Sequence, residues 1–464
     1  MSGARRGVLL AAALLAPAAG AAGDLGDGRA LYHGHRPFAA GREATANRLP
    51  PRFAACSSCH GPLAEGRREG AAAAPPVTWA ELMRPRAGEP AYASPGEVLR
   101  AMTEGAGRGG RSLAPAMPRF RLDAAEAGAL IDYLHIAGTL ADNPPGVGAA
   151  TVEFGTVLPL TGPAAATGQA VLQGLREVFD GPAARGGING RRIVLTAVDG
   201  AGAGAAEAVR TLLAKPVYAM VAGLWARGDP LDAQLADARV PHVGALVVRA
   251  TSAEAGAWAA DLLPPLDLQQ DALAGALGRC PVHGLRMALQ ISAKSTPEGI
   301  AHPTADDSGV RWFADAGALA AALRDGGPTG CVGLGLQGMA ALGGAVPAGW
   351  QGLVVLPFPV ALLEPGAGDG RGGPWHRLGL AAGRLAVEWL ARSGAVLHER
   401  SLLDQLPGTD GFEVLPGAPV RFGPRRRHGW DAAEVHLAVT PAPPGGTGTI
   451  AGTIAGTTEG GPRP

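Results

Sequence analysis

The sequence predicts a multidomain protein: a small all-α domain followed by a larger α/β domain built on a parallel sheet. Three observations carry this expectation. An amphipathic helix with a marked start closes the first part, after Asp123. From Thr151 onward, strand-like and helix-like runs alternate, which is the pattern of a parallel sheet. Between them lies a Pro/Gly-rich stretch, Ala141-Asp142-Asn143-Pro144-Pro145-Gly146-Val147-Gly148. A length of 464 residues allows about three domains or lobes. The 40 basic and 40 acidic residues cancel, which argues against a nucleic-acid or other polyanionic partner. The only lysines are Lys215 and Lys294. With the abundance of Ala and Gly this reads as a composition bias without functional content.

Residues 1–22 have the form of a secretory signal. Arg5 and Arg6 make a short basic start, Gly7 to Leu15 an apolar run, and Pro17 to Ala22 a small-residue stretch with cleavage expected near Ala21 or Ala22. The arginine pair also suggests twin-arginine export, but the residues around it fit that signal poorly. The apolar run is too short for a membrane span. No later stretch of 18 or more apolar residues occurs, so the mature protein is expected to be soluble and periplasmic.

Within residues 23–140 stands Cys56-Ser57-Ser58-Cys59-His60. This is the attachment signature of a c-type haem. Two thiols three positions apart can add to the two vinyl groups of one porphyrin, and the next residue, a histidine, becomes an axial ligand of the iron. A zinc site would need a second ligand pair; the other cysteines, Cys280 and Cys331, stand alone far downstream. A thioredoxin-like pair would need a βαβ setting, which the flanking residues do not offer. Export agrees with haem attachment outside the cytoplasm.

The second axial ligand is expected to be Met117, in Ala116-Met117-Pro118-Arg119-Phe120. A thioether is a soft ligand that raises the potential of the iron, and the proline stiffens its loop. Met83, Met102, His33 and His35 are the competitors; Met102 falls in a helix-like run, Pro95 to Gly105, that suits packing. Asp123 reads as an N-cap with Glu126 three residues on. Ala127, Leu130, Ile131 and Leu134 then recur at helical spacing. Near the start, Gly28 and Tyr32 sit one helical turn apart. A glycine there lets two helices cross closely, with Leu31 and Tyr32 against Leu130, Tyr133 or Leu134. Together these residues resemble class I cytochrome c. The resemblance implies one covalent haem c and one-electron transfer. The stretch between Tyr32 and Cys56 is longer than in the simplest members.

Residues 141–150 read as a linker and 151–440 as the second domain. A strand-like run, Val152 to Leu158, leads into Pro159-Leu160-Thr161-Gly162. A helix follows with Val171, Gly174, Leu175 and Val178 on one face. The turn Gly186-Gly187-Ile188-Asn189-Gly190 precedes a strand from Ile193 to Val198 that ends at Asp199. A helix from about Ala205 to Ala214 and a strand from Val217 to Ala222 complete the pattern. Ligands of such sheets bind beyond the carboxyl ends of the strands, so the loops after Leu158, Val198 and Ala222 form the candidate site. The order is similar to the type I periplasmic binding proteins of the branched-chain amino-acid receptor kind, on Pro159-Leu160-Thr161-Gly162, Gly168, Gly174, Gly186 to Arg191, Asp199 and the late run Pro419 to Gly429. The resemblance implies two lobes, the second beginning near Leu266, with the chain crossing back near Phe358, and a ligand closed between them. Thr161, Gly162, Trp225 and Arg227 are the candidate ligand residues. Arg227 could anchor an anion, and Trp225 could stack on a ring or fill the cleft; both could equally be structural. Serine or threonine hydroxyls usual after the third strand, and a Tyr-Gly motif usual after the run Met287 to Ile291, are missing here.

Cys280 and Cys331 each precede a strand-like run, and in an exported protein they are expected to pair, geometry permitting. Residues 441–464, Gly/Thr/Pro-rich with TIAG written twice, are expected to be a disordered tail. The leading functional expectation is a periplasmic monohaem electron carrier fused to a solute-binding or docking module. A periplasmic dehydrogenase or oxidase would be its redox partner. The alternative is a solute receptor of an ABC-type importer, for an amino acid or other small molecule, with the haem as sensor or passenger. No nucleophile–base constellation, Walker motif or dinucleotide motif suggests an autonomous enzyme. Arg108, Arg111, Arg119 and Arg121 cluster around Met117; they read either as a docking face for an acidic partner or as partners of the haem propionates.

Overall fold

A computed structural model describes residues 21–268 apart from 47, 49–53, 70–71, 87, 203, 226–230, 252–255 and 266. It also describes 311–313, 330–334, 351–356, 358–359, 362, 373–423, 426–431, 433–439 and 450–451. Most of the expected signal peptide, Arg227 and Cys280 lie outside the described residues. The chain forms two compact units, Met1–Asp142 and Asn143–Pro464.

The first unit is assembled from helices α1 (Ala21–Tyr32), α2 (Cys56–His60), α3 (Trp79–Leu82), α4 (Pro95–Thr103) and α5 (Ala124–Ile136). Its longest helix starts as its sequence dictates. The Glu126 amide donates to the Asp123 carboxylate at 2.8 Å, and the Glu126 carboxylate accepts from the Asp123 amide at 3.2 Å. Two otherwise orphaned helix-end donors are thereby satisfied reciprocally. Leu130, Ile131, Tyr133 and Leu134 turn into the core. Helix α4 is capped by Ser94, begins with Pro95, and buries Val98, Ala101 and Met102.

Helices α1 and α5 meet at Gly28. A Cβ there would lie 2.0 Å from the Ala129 carbonyl oxygen and 2.8 Å from the Tyr133 Cβ. Only a hydrogen fits that crossing. Leu31 and Tyr32 are consequently buried, and the Tyr32 and Tyr133 rings lie 5.3 Å apart.

The unit is not purely helical, in contrast to the sequence expectation. Strands β1 (Arg67–Glu69) and β2 (Ala72–Ala74) form an antiparallel hairpin. Gly66, at φ +81°, turns the chain into it, and a Cβ there would lie 2.6 Å from the Pro76 nitrogen. Three-residue strands carry too little alternation to register as a pattern in sequence.

The expected basic face beside Met117 needs a larger correction. Arg108 is buried. Its guanidinium donates to the carbonyls of Arg84 at 2.6 Å, Pro90 at 3.0 Å and Glu81 at 2.6 Å, and it lies over the Tyr92 ring at 5.0 Å. Arg111 pairs with Glu89 at 2.6 Å, and Arg119 folds back onto the carbonyls of Leu113 and Met117. Of the four, Arg121 keeps the loosest partner, Glu43 at 3.7 Å. Arg108 is therefore a cross-brace, not a docking residue. Arg108→Ala should lower stability by about 3 kcal/mol, because three carbonyls lose a charged donor. Urea unfolding of the full chain, followed in the haem band, measures this; an unchanged midpoint would refute the brace.

The stretch read as a linker is built into the structure at both ends. Asp142 is buried and accepts from the Arg29 guanidinium at 2.5 Å, the Tyr133 hydroxyl at 2.9 Å and the Gly138 amide at 3.2 Å. In the second unit, the Asn143 side chain accepts from Arg191 at 3.3 Å, and Val147 joins the core.

The second unit contains a five-stranded parallel sheet in the order β4-β3-β5-β6-β7. Its strands are β3 (Thr151–Leu158), β4 (Arg192–Asp199), β5 (Ala219–Val221), β6 (His242–Ala245) and β7 (Ala259–Asp261). The register sets Leu158 beside Asp199. Helices α6 (Ala165–Phe179), α7 (Ala205–Leu213) and α8 (Leu231–Asp237) connect these strands, and α9 (Pro374–Arg392) returns late in the chain. Helix α6 packs on α9 through two glycines. Cβ atoms at Gly174 and Gly379 would lie 2.2 Å from the carbonyl oxygens of His376 and Val171.

A second sheet has the order β14-β13-β10-β9-β8. Strands β8 (Arg311–Phe313), β9 (Gly330–Leu334) and β10 (Gln351–Leu356) run parallel, while β13 (Ala433–Val439) and β14 (Ile450–Ala451) are antiparallel. This sheet is mixed, and β14 falls inside the segment expected to be an unstructured tail. Cys331 lies on β9. Between these elements β11 (Phe412–Leu415) and β12 (Ala418–Val420) form the late hairpin. No helix among the described residues is long and apolar enough to cross a membrane.

Candidate haem and ligand sites

Helix α2 is one turn long and consists of the cysteine motif itself. Residues three apart share a helix face, so Cys56 and Cys59 are presented on one side. Both are free thiols, Cys56 half-buried and Cys59 exposed. Burial pushes the Cys56 thiol up to about 12.

His60 closes the helix and is buried. Its Nδ1 lies 2.7 Å from the Pro75 carbonyl oxygen. A carbonyl can only accept, so Nδ1 carries the proton and Nε2 presents its lone pair. Burial also lowers the pKa of His60, which favours the neutral ring. A neutral imidazole anchored through its other nitrogen is the form that ligates a metal.

The chain around His60 is held on several sides. The Gly66 amide donates to the His60 carbonyl at 2.7 Å. The Gly61 carbonyl accepts from the Tyr32 hydroxyl at 2.9 Å. Gly61 itself, at φ +82°, ends the helix with its amide bonded to the Ser57 carbonyl. Sequence reading did not reach the Pro75 partner, because nothing local marks which carbonyl will face the ring.

Met117 sits in a turn closed by its amide on the Ala114 carbonyl at 3.0 Å. Arg119 bonds back onto the same loop, its guanidinium donating to the carbonyls of Met117 and, at 2.9 Å, of Leu113. The Met117 side chain packs against the same apolar cluster as Cys56. Of the competitors, Met102 is buried within α4, Met83 follows α3 half-buried, and both touch that cluster. His33 contacts the Tyr133 hydroxyl at 3.0 Å and stacks on His35 at 5.3 Å.

In the second unit, Asp199 organises the loop after β3. Its carboxylate accepts from the amides of Leu160 at 2.8 Å, Ala201 at 3.0 Å and Thr161 at 3.4 Å, and from the Thr161 hydroxyl at 2.5 Å. These bonds, the hydroxyl first, hold its pKa near 2, well below the usual carboxylate range. The Thr161 hydroxyl thus points its proton at Asp199. Gly162, at φ +72°, makes the turn that follows. Trp225 stacks on His242 with centroids 5.1 Å apart and 25° between planes. Gly223 makes room for that stack, since a Cβ there would lie 2.6 Å from the Trp225 ring. Burial drives the pKa of His242 down to about 4. Trp225 is therefore engaged in packing.

One charged cluster at the carboxyl edge of this sheet has no signal in the sequence. The buried Arg249 donates to Asp261 at 2.5 and 2.9 Å and also to Asp232. Its members come from three separate stretches, and no spacing rule joins them.

Residues 40–137 match the family model described as Cytochrome c, and residues 151–280 match the one described as Periplasmic binding protein. No curated protein matches the chain. Among solved structures, a substrate-binding periplasmic protein from Ralstonia solanacearum is 19% identical, covering 64% of this chain and 99% of its own, with a TM-score of 0.46. A leucine binding protein from Thermotoga maritima is 13% identical, with coverages of 66% and 98% and a TM-score of 0.47. A fatty acid ABC transporter substrate-binding protein from Thermomonospora curvata is 14% identical, with coverages of 69% and 95% and a TM-score of 0.47.

The cytochrome c match implies covalently bound haem, and the residues present fit that group. Two free thiols share one face of α2, and the adjacent histidine is locked with its metal-binding nitrogen unprotonated. The chain carries a cytochrome c domain, matched over residues 40–137, followed by a periplasmic binding protein domain, matched over residues 151–280 and built on a parallel α/β sheet.

Proposed function

We propose that this protein is an exported, periplasmic electron carrier, a cytochrome with one haem c, fused to a solute-binding or docking module. The observation that carries the reading is the bond between His60 Nδ1 and the Pro75 carbonyl at 2.7 Å. It prepares the ring as a metal ligand beside two free thiols. When bound, the haem supplies reversible one-electron iron chemistry. Cys56 and Cys59 would hold it covalently, each thiol adding across one vinyl group. His60 would ligate one side of the iron, and the Met117 sulphur, carried on a loop closed by Arg119, the other. The redox partner in this reading is a periplasmic dehydrogenase or oxidase.

The second domain is read as the recognition part, and it supports the alternative of a solute receptor for an importer. In either case Thr161 and Gly162 form one wall of the ligand site, the hydroxyl bracing the loop through Asp199. Arg227 remains the candidate anion anchor, with Trp225 at the base of the same loop. The disulfide between Cys280 and Cys331 stays part of the proposal; closing that loop would stabilise the second domain by about 3–4 kcal/mol.

The test of the electron-carrier reading is optical. The purified protein should be reduced and reoxidised reversibly, and its oxidised form should show the weak far-red absorption of iron–methionine ligation. In Met117→Ala that band should vanish while the haem stays attached. Persistence of the band would transfer the ligand role to Met83 or Met102, and a protein that cannot be cycled would overturn the reading.

A further inference from the structure

Of the arginines expected to steer a partner, Arg108 is buried and Arg111 and Arg121 face carboxylates at the surface, yet the same unit presents exposed arginines elsewhere. An open surface depression of about 400 Å³ is lined by the β1–β2 hairpin, Pro75, Pro76 and Arg86. Arg67 and Arg68 are exposed on its wall, and neither has an ion-pair partner among the described residues. Arg86 adds a third guanidinium, tethered to the Pro76 carbonyl at 3.4 Å and facing Glu81 at 3.5 Å. The one carboxylate in the lining, Glu65, is drawn back onto the Leu63 amide at 2.8 Å.

The walls of this pocket are also the supports of His60. The Pro75 carbonyl accepts from His60 Nδ1 at 2.7 Å, and the Gly66 amide donates to the His60 carbonyl at 2.7 Å. Charge and a short bonded path to the ligand histidine therefore coincide. The full sequence carries no net formal charge, so attraction of an acidic partner rests on how charge is distributed over the surface. A local basic cluster acts over about one Debye length of 8–10 Å.

We propose, building on the electron-carrier reading, that this groove is the docking site for an acidic surface of a redox partner protein, and that electrons cross there. An open basic depression suits an acidic surface loop, and Arg67 and Arg68, which have no ion pair among the described residues, give up none there on docking.

The experiment uses the full-length, haem-loaded protein in stopped flow. The reduced protein gives one electron to hexacyanoferrate(III), an anion, or to tris(phenanthroline)cobalt(III), a cation. At low salt, Arg67→Glu with Arg68→Glu should slow the anionic reaction about fivefold or more. The cationic reaction should be unchanged or faster, and the difference should close at high salt. The reduction potential should not move. Arg111→Glu with Arg121→Glu should have a clearly smaller effect. A short polyglutamate peptide should inhibit the wild type and not the groove variant. Equal inhibition by inorganic phosphate at matched charge would overturn the assignment to a protein partner. Unaltered rates in the groove variant, or a shifted potential with an unaltered anion-to-cation ratio, would overturn the docking site. The latter result would mean that the arginines serve the haem carboxylates. If neither reagent oxidises the reduced wild type, the electron-carrier reading falls, and the groove proposal with it.

Discussion

Replacing Cys56 and Cys59 together by alanine is expected to abolish covalent haem. Acid–acetone extraction should leave the colour with the wild-type protein and remove it entirely from the variant. Each thioether forms when one thiol adds across one vinyl group, so removing both sulphurs leaves no covalent route. His60 would still be held by Pro75, but one imidazole and one thioether bind haem reversibly. Each single variant should keep one attachment. Mass spectrometry gives an independent readout, since the wild-type peptide spanning Cys56 and Cys59 should carry the haem mass. A colourless wild-type protein after extraction, or attached haem in the double variant, would remove the basis for the cytochrome function.

The second large effect is expected at a residue without a side chain. Gly28→Val should destabilise the first domain by about 3 kcal/mol or more. The first added carbon would lie 2.0 Å from the Ala129 oxygen and 2.7 Å from its carbonyl carbon. Those are backbone atoms in a helix and cannot step aside. Helix α1 would have to withdraw, taking Tyr32 from the Gly61 carbonyl and loosening the turn below His60. Gly26, on the same helix, is the control. Nothing lies within 4 Å of a Cβ there. Gly26→Ala should raise stability by about 0.5–1 kcal/mol, the helix-propensity difference. Urea unfolding of the full-length variants, followed in the haem band, separates the two. Similar midpoints for both would show that the helix crossing does not depend on Gly28.

Much of the candidate haem site was legible because its determinants are local. The motif from Cys56 to His60 names its own chemistry, and Asp123 with Glu126 is a capping box in any fold that leaves α5 free to start there. Gly28 was readable one step further, through the aromatic residue one turn on. In the second domain, β3, α6 and β4 follow from periodicity, and Asp199 stands at a strand end where loops gather. The remaining features were hidden for a common reason. Hairpin β1–β2 is too short to show alternation. The Arg249 cluster joins residues from three separate stretches. The fate of Thr161 and Trp225 depends on Asp199 and His242, which other strands supply.

The arginines around Met117 mark the boundary between the two kinds of information. Sequence alone determined that this chain carries two thiols, a histidine and a methionine in the pattern expected of a haem site, that a capped helix follows them, and that a parallel α/β domain comes next. These rest on covalent chemistry, local hydrogen bonds and periodicity, which a short stretch of chain specifies by itself. Tertiary structure alone decided that Arg108 is buried beneath the carbonyls of Glu81, Arg84 and Pro90 while Arg67 and Arg68 face solvent. The charge of a guanidinium is written in the sequence. Whether it meets water, a carbonyl or a partner depends on which distant backbone atoms the folded chain brings within about 3 Å.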